Sequence, residues 1–255
     1  MQTFRDGLLE GKAAFVAGGT RGINLGIAQR LRDMGAQVAV CGRDPDRAAQ
    51  AAATLGGGSL GLACDVRDYA AVRAAMEEVV GKFGLLDIVV SGAAGNFMAA
   101  AKDMSANAFR TVVDIDLNGT FNVFRASYDL IRKPGASLIA ISAGQADLPS
   151  AMQAHACAAK AGVNQVVRVL ALEWGPDGVR VNGISPGPIA GTEGMARLVG
   201  DGPALQRMLA QVPLGRQGEV GEIGDAALFL CSDAAAYITG VILECDGGFQ
   251  LRSGR

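Results

Sequence analysis

Four glycines, Gly18, Gly19, Gly22 and Gly26, punctuate the stretch Ala13 to Ala28 (AAFVAGGTRGINLGIA). They fall where a short apolar run gives way to a segment of helical periodicity. Strand, glycine turn and helix together bring backbone N–H groups and a helix N-terminus to a diphosphate. Glycine suits that place because a Cβ would block both the ligand and a turn with positive φ. The same letters also fit an ordinary tight turn, so the neighbouring strand ends must decide. Small residues close several other apolar runs: Ser91-Gly92-Ala93-Ala94-Gly95, Ser142-Ala143-Gly144 and Ser185-Pro186-Gly187-Pro188. Asp65-Val66 closes one more. Such ends let a flat cofactor approach the backbone, and their convergence predicts a dinucleotide site. An acidic residue after the second run would mark NAD through its ribose hydroxyl. Cys41-Gly42-Arg43 stands there instead, and Arg43 with Arg21 makes a cationic fork suited to a 2′-phosphate. Asp44 is read as the cap of the next helix. The reading favours NADP(H) over NAD.

Other chemistries are excluded. His155 is the only histidine, and the five cysteines, Cys41, Cys64, Cys157, Cys231 and Cys245, form no CxxC pair. No metal site is expected, and the cysteines read as small buried residues in a reducing compartment.

Alternating apolar runs and helical segments must position these groups. Strands are expected at 13–17, 36–41, 59–64, 86–90, 137–142, 179–184 and 242–245. Between them helices are expected at 23–31, 44–55, 69–83, 104–130, 150–174 and 221–232. Strict alternation implies an α/β fold: one doubly wound, Rossmann-type parallel sheet of seven strands with helices on both faces. Runs such as VAVC and LIAIS are apolar throughout, as doubly covered strands are. The 255 residues, half of them hydrophobic, suit one domain over 1–255. The segment 189–218 is the one long insert without a strand, and it reads as a substrate cover. It combines Met195, Leu198, Val199, Met208 and Leu209 with Arg197, Arg207 and Arg216, a mixture suited to an acyl chain and phosphates. For any single one of these residues, the packing of a plain amphipathic lid helix on the domain is the favoured reading.

With 23 basic against 25 acidic residues, charge gives no reason to expect nucleic acid or an anionic membrane as partner. No apolar run approaches the ~20 residues of a membrane helix. The first residues, MQTFRDGLLEGK, lack a signal pattern, so a cytoplasmic protein is expected.

Taken together, AGGTRGI at 17–23, CDV at 64–66, AAG at 93–95, Lys160, RVNGISPGPI at 180–189 and YITGVILECDGG at 237–248 resemble the short-chain dehydrogenase/reductase family over nearly the whole chain. The resemblance implies that Gly18, Thr20, Arg21, Gly22 and Ile23 wrap the diphosphate and that Asp65 and Val66 hold the adenine. It places Ala93, Ala94 and Gly95 along the adenosine side and Lys160 on the nicotinamide ribose. Pro186, Gly187, Ile189 and Thr192 fall at the carboxamide end. Asn24 replaces the last loop glycine, and asparagine tolerates the left-handed conformation. The resemblance also implies a homotetramer through the apolar segments at 221–232 and 240–245.

Ordinary members of that family protonate an alkoxide with a Tyr four residues before the Lys. Here position 156 is Ala, the Ser place is Ala143, and the Asn place is Asp116. A Tyr seven residues before the Lys is absent too, since 153 is Gln. One subgroup resembles this pattern, the 2,4-dienoyl-CoA reductases of the peroxisomal type. The likeness is carried by AAGNF (93–97), FRTVVDIDLNGTFNV (109–123), QAHACAAKAG (153–162), LEWGP (172–176) and SPGPIAGTEG (185–194). It implies NADPH-dependent reduction of conjugated acyl thioesters in unsaturated fatty acid degradation, with an acyl-CoA substrate. Catalysis would rest on Lys160 and Asp116. Asp116 is read as the group that positions a water rather than as the direct acid. Asn96 and Phe97 are the substrate candidates. His155 is read as a packing histidine, with the role of acid as its other reading. Two other functions stay open: an oxidoreductase of the same fold with another substrate, and an inactive nucleotide-binding relative.

Overall fold

The computed structural model describes residues 4–200 and 202–251, without the side chain of Leu198. Seven parallel strands form one sheet: β1 (Ala13–Ala17), β2 (Gln37–Gly42), β3 (Leu60–Ala63), β4 (Ile88–Ser91), β5 (Ser137–Ile141), β6 (Arg180–Pro186) and β7 (Ile242–Cys245). Their spatial order is β3-β2-β1-β4-β5-β6-β7, the doubly wound arrangement. The chain reverses direction across the sheet between β3 and β4, so a crevice opens between β1 and β4. Ala17 pairs with Cys41 on one side and Ser91 on the other, which sets the ends of β1, β2 and β4 level.

Pleating sends alternate residues of each strand to opposite faces. Phe15 joins one core with Val72 and Met76 of α3 (Tyr69–Phe83), Phe124 of α5 (Gly119–Ser127) and Val163 and Val167 of α6 (Ala154–Trp174). Val16 joins the other, with Ile27 and Leu31 of α1 (Gly22–Asp33), Leu55 of α2 (Pro45–Leu55) and Ile223 of α9 (Val220–Cys231). Burial of each such side chain contributes about 1.5–3 kcal/mol. Among the described residues no helix is long and apolar enough to cross a membrane.

Two expectations change. The helix expected over 104–130 is α4 (Ala106–Val113), a π-helical turn (Asp114–Asn118) and then α5. The helix expected from 150 begins at Ala154, because Met152 takes a positive φ of 64° and Gln153 is the cap. The cover, expected to lack a strand, holds α7 (Glu193–Leu198), capped by Thr192, and α8 (Pro203–Leu209). Its ends meet where Ile189 bridges Gly218, with Gly218 N–H donating to the Pro188 carbonyl at 2.9 Å.

Gly26 lies inside α1 and takes no part in the turn. A Cβ on it would run into Cγ1 of Val220 at the start of α9, so the glycine sets the contact between the two helices. Gly26→Ala should therefore lower unfolding free energy by about 1–3 kcal/mol in a denaturant titration. Adding Val220→Ala should recover most of that loss, because the obstructing methyl is removed.

Candidate active site

A cavity of about 750 Å³ opens over the C-terminal edge of the sheet. That is ample for a small ligand, whose sites run from roughly 300 to 1,000 Å³. Its wall takes in Gly18, Thr20, Arg21, Gly22 and Ile23, then Arg43, Asp65 and Val66. Ala93, Ala94, Gly95 and Asn96 follow from the loop after β4, and Thr192 from the cover. Pro186 ends β6 outside this wall, while Gly187 and Ile189 line a second cavity of about 430 Å³ at the base of the cover. Phe97, Asp116 and Lys160 also stand outside the first wall.

The loops leave room for a dinucleotide because side chains are missing where they converge. Gly18 has φ +73°, and a Cβ on it would meet the backbone nitrogen of Ala93 at 2.7 Å. Asn24 is helical rather than left-handed, so it does not stand in for a loop glycine. Instead its Nδ2 donates to the carbonyls of Gly18 at 3.3 Å and Gly92 at 2.7 Å, tying the loop after β1 to the loop after β4. Two buried oxygens in the wall, Asn24 Oδ1 and Asn96 Oδ1, have no partner among the described residues. A ligand with hydrogen-bond donors fits such a wall.

Charge is arranged around the cavity in three ways. Asp44 caps α2 by accepting from the N–H groups of Asp46 and Arg47, and it pairs with the Arg47 guanidinium at 3.2 Å. Arg43 is exposed and makes no ion pair among the described residues. Asp65 is held below the usual carboxylate range, first by hydrogen bonds from the Arg67 side chain. Arg21 pairs with Glu193 of α7, which also binds Arg197 at 2.7 Å. The glycine loop and the cover are thus linked through one carboxylate, a connection that the sequence reading missed. Its signal is Glu193 and Arg197 spaced four apart just after the Thr192 cap.

Deeper in, the π-helical turn turns Asp116 inward. Its Oδ1 accepts the Gly95 N–H at 2.7 Å, and its Oδ2 lies 3.4 Å from Lys160 Nζ. Lys160 also donates to the Ile141 carbonyl at 2.8 Å. Both side chains are buried. The carbonyl of Asp116 accepts from the Thr120 hydroxyl at 2.6 Å. Asn118 points elsewhere, to Asp114, and Ser142 donates to Asn164. His155 is buried, its Nδ1 accepting the Ala156 N–H at 2.7 Å and its ring meeting Phe97 edge-on at 4.2 Å. Among the described residues no group of three or more His, Cys, Asp or Glu is placed to hold a metal ion.

A protein-family model described as Enoyl-(Acyl carrier protein) reductase matches residues 17–250. The chain belongs to the short-chain dehydrogenase/reductase family. Membership implies oxidoreduction with a nicotinamide dinucleotide, NAD(P)(H). The peroxisomal 2,4-dienoyl-CoA reductase [(3E)-enoyl-CoA-producing] of Pongo abelii is 42% identical over 249 residues, 96% of this chain and 85% of that one. A probable 2,4-dienoyl-CoA reductase [(2E)-enoyl-CoA-producing] of Bacillus subtilis is 36% identical, over 94% of this chain and 97% of that one. A short chain dehydrogenase from Bacillus anthracis superposes with a TM-score of 0.87 at 35% identity, over 97% of this chain and 100% of that one. The cytoplasmic expectation does not stand. The Pongo abelii relative and its fish, rat and yeast counterparts are peroxisomal by name.

Two outcomes are expected here. Asn24→Ala should cost about 1–3 kcal/mol of stability, because two partly buried carbonyls lose their donor. Fluorescence titration should show the same variant binding nicotinamide dinucleotide more weakly. Glu222 is held down to about 2, first by the Arg216 side chain and then by the Glu219 N–H. Its folded value lies below the unfolded one, so this tie at the end of the cover is fully present above the ordinary carboxylate range. It is lost only as pH falls through about 2. A carboxyl-carbon NMR titration of Glu222 should find its midpoint there.

Proposed function

We propose that this protein is an NADPH-dependent reductase of conjugated acyl thioesters, a 2,4-dienoyl-CoA reductase acting in unsaturated fatty acid degradation. The observation that carries the reading is the buried Asp116–Lys160 pair beside a position, Ala156, where no phenol can act. The names of the relatives support the substrate class.

NADPH, when bound, supplies a hydride. Gly18, Thr20, Arg21, Gly22 and Ile23 would surround its diphosphate, and Asp65, Val66, Ala93, Ala94 and Gly95 its adenosine. Pro186, Gly187, Ile189 and Thr192 would stand at the carboxamide end. Arg43 supports the phosphorylated cofactor, since its guanidinium is unpaired among the described residues while the neighbouring Asp44 is engaged as a cap. Lys160 carries three N–H donors. The Ile141 carbonyl and Asp116 engage two of them, which leaves one for the nicotinamide ribose.

Reduction at C5 of a 2,4-dienoyl thioester pushes electrons through the conjugated system onto the thioester oxygen. A proton then arrives at C2, leaving the C3–C4 double bond. No alkoxide forms at the reacting carbon, so the missing Tyr is no obstacle. Lys160 places positive charge near the developing anion. Asp116 orients the water that delivers the proton, because one of its oxygens is already fixed by Gly95. Asn96 and Phe97 border the substrate. The whole chain, 1–255, works as one domain, 189–218 closes over the acyl chain, and a homotetramer is the working form.

Decay of NADPH absorbance with a 2,4-dienoyl-CoA, together with identification of a (3E)-enoyl product, tests the reading. Asp116→Ala and Lys160→Ala should each lower kcat by about 10²-fold or more. Near-normal rates in both variants would remove the pair from the mechanism.

A further inference from the structure

The loss of Tyr from position 156 leaves the thioester oxygen without an identified donor. The residue that caps α6, Gln153, offers one. Within the helix Ala156 and Lys160 are spaced by four residues and share one face, and Gln153 stands just before the first turn.

Gln153 is fixed on every side but one. Its backbone N–H donates to the Ser150 carbonyl at 3.3 Å, and its own carbonyl accepts from Cys157 N–H at 2.9 Å. Its side-chain oxygen accepts from Asn96 Nδ2 at 2.7 Å and from Gln145 Nε2 at 3.2 Å. That one oxygen thus serves two amide donors. The Nε2 end donates to no group among the described residues. Nor is it one of the buried unpartnered atoms, so it keeps access to solvent space although Gln153 as a whole is 8% exposed. The result is a rigid amide with its acceptor engaged and its two N–H bonds free, next to the cavity-lining Asn96.

We infer that Gln153 Nε2 is the hydrogen-bond donor to the thioester carbonyl oxygen, taking up the negative charge that develops there during reduction. The inference rests on the dienoyl-thioester reading above. A donor held in place before the reaction needs no reorganisation as charge appears, and that is where such groups are most effective. Asn96 and Gln145 act as positioning residues, since they reach the substrate oxygen only through Gln153. The division of labour follows: Gln153 faces the oxygen end of the conjugated system, while Lys160 and Asp116 face the cofactor and the water.

Gln153→Glu isolates the donor. The carboxylate still accepts from Asn96 and Gln145, so the local network and the melting temperature should be retained, but it has no N–H to offer. Expected results are a fall in kcat of about 10²-fold with 2,4-dienoyl-CoA and little change in NADPH affinity by fluorescence titration. The red shift of the dienoyl thioester's absorption band on binding, which reports polarisation of its carbonyl, should also disappear. Gln153→Ala should lose the same activity and the same shift. Wild-type turnover with an unaltered kcat and an unaltered band shift in Gln153→Glu would overturn the donor role and leave the dienoyl reading standing. Absence of turnover and of any band shift in the wild type would overturn both.

Discussion

A buried ion pair governs the centre of this molecule. Lys160 and Asp116 are both withdrawn from water, and withdrawing two charges costs several kcal/mol for each before any attraction is counted. Attraction alone does not secure such a pair; further hydrogen bonds must support it. Main-chain groups supply them, the Gly95 N–H on one side and the Ile141 carbonyl on the other. Gly95 follows β4 and Ile141 ends β5, so the pair locks the ends of two central strands to α6. It also explains the π-helical turn. A regular helix through Asp114–Asn118 would carry residue 116 at a different angle, and π-turns in otherwise regular helices are frequent at functional sites.

Much of the architecture was legible in the sequence because it follows from periodicity. The apolar runs marked the strands to within about two residues, and Tyr69–Phe83 and Ile242–Cys245 lie where their patterns placed them. Asp44 as a cap was readable because a short polar side chain before a Pro-led helix has few other uses. The π-helical turn was not readable: Asp114 to Asn118 keeps helical spacing well enough that nothing in its letters marks the extra residue. Gly26 was misplaced because glycine says that space is short without saying which neighbour is close. Here the neighbour is Val220, almost two hundred positions away. Asn24 misled in the same manner, since its value lies in reaching Gly92, a partner that local sequence cannot name. Gln153 looked like an empty place only because a Tyr was being sought there.

What is absent at position 156 is as informative as what is present. Ala156 is buried, and its methyl group carries no proton donor. A ketone reductase needs a phenol at that point because its product oxygen is protonated directly. A conjugated thioester spreads its charge over a longer frame, and the proposed groups that answer it, an ammonium, a carboxylate and an amide, are spaced out as well. The same fold thereby serves a different bond without altering the glycine loop or the sheet.

The bridge between Ile189 and Gly218 carries a consequence for how such a protein can diversify. Because the two ends of the cover are joined to each other, the sheet does not register the length of the chain between them. Inserting or deleting residues within that excursion changes its closure entropy only logarithmically, by roughly 0.6 kcal/mol for each doubling of length. Outside the Thr192 cap and the tie of Glu193 to Arg21, the bridge makes the cover a self-closed excursion whose size the sheet beneath it does not constrain.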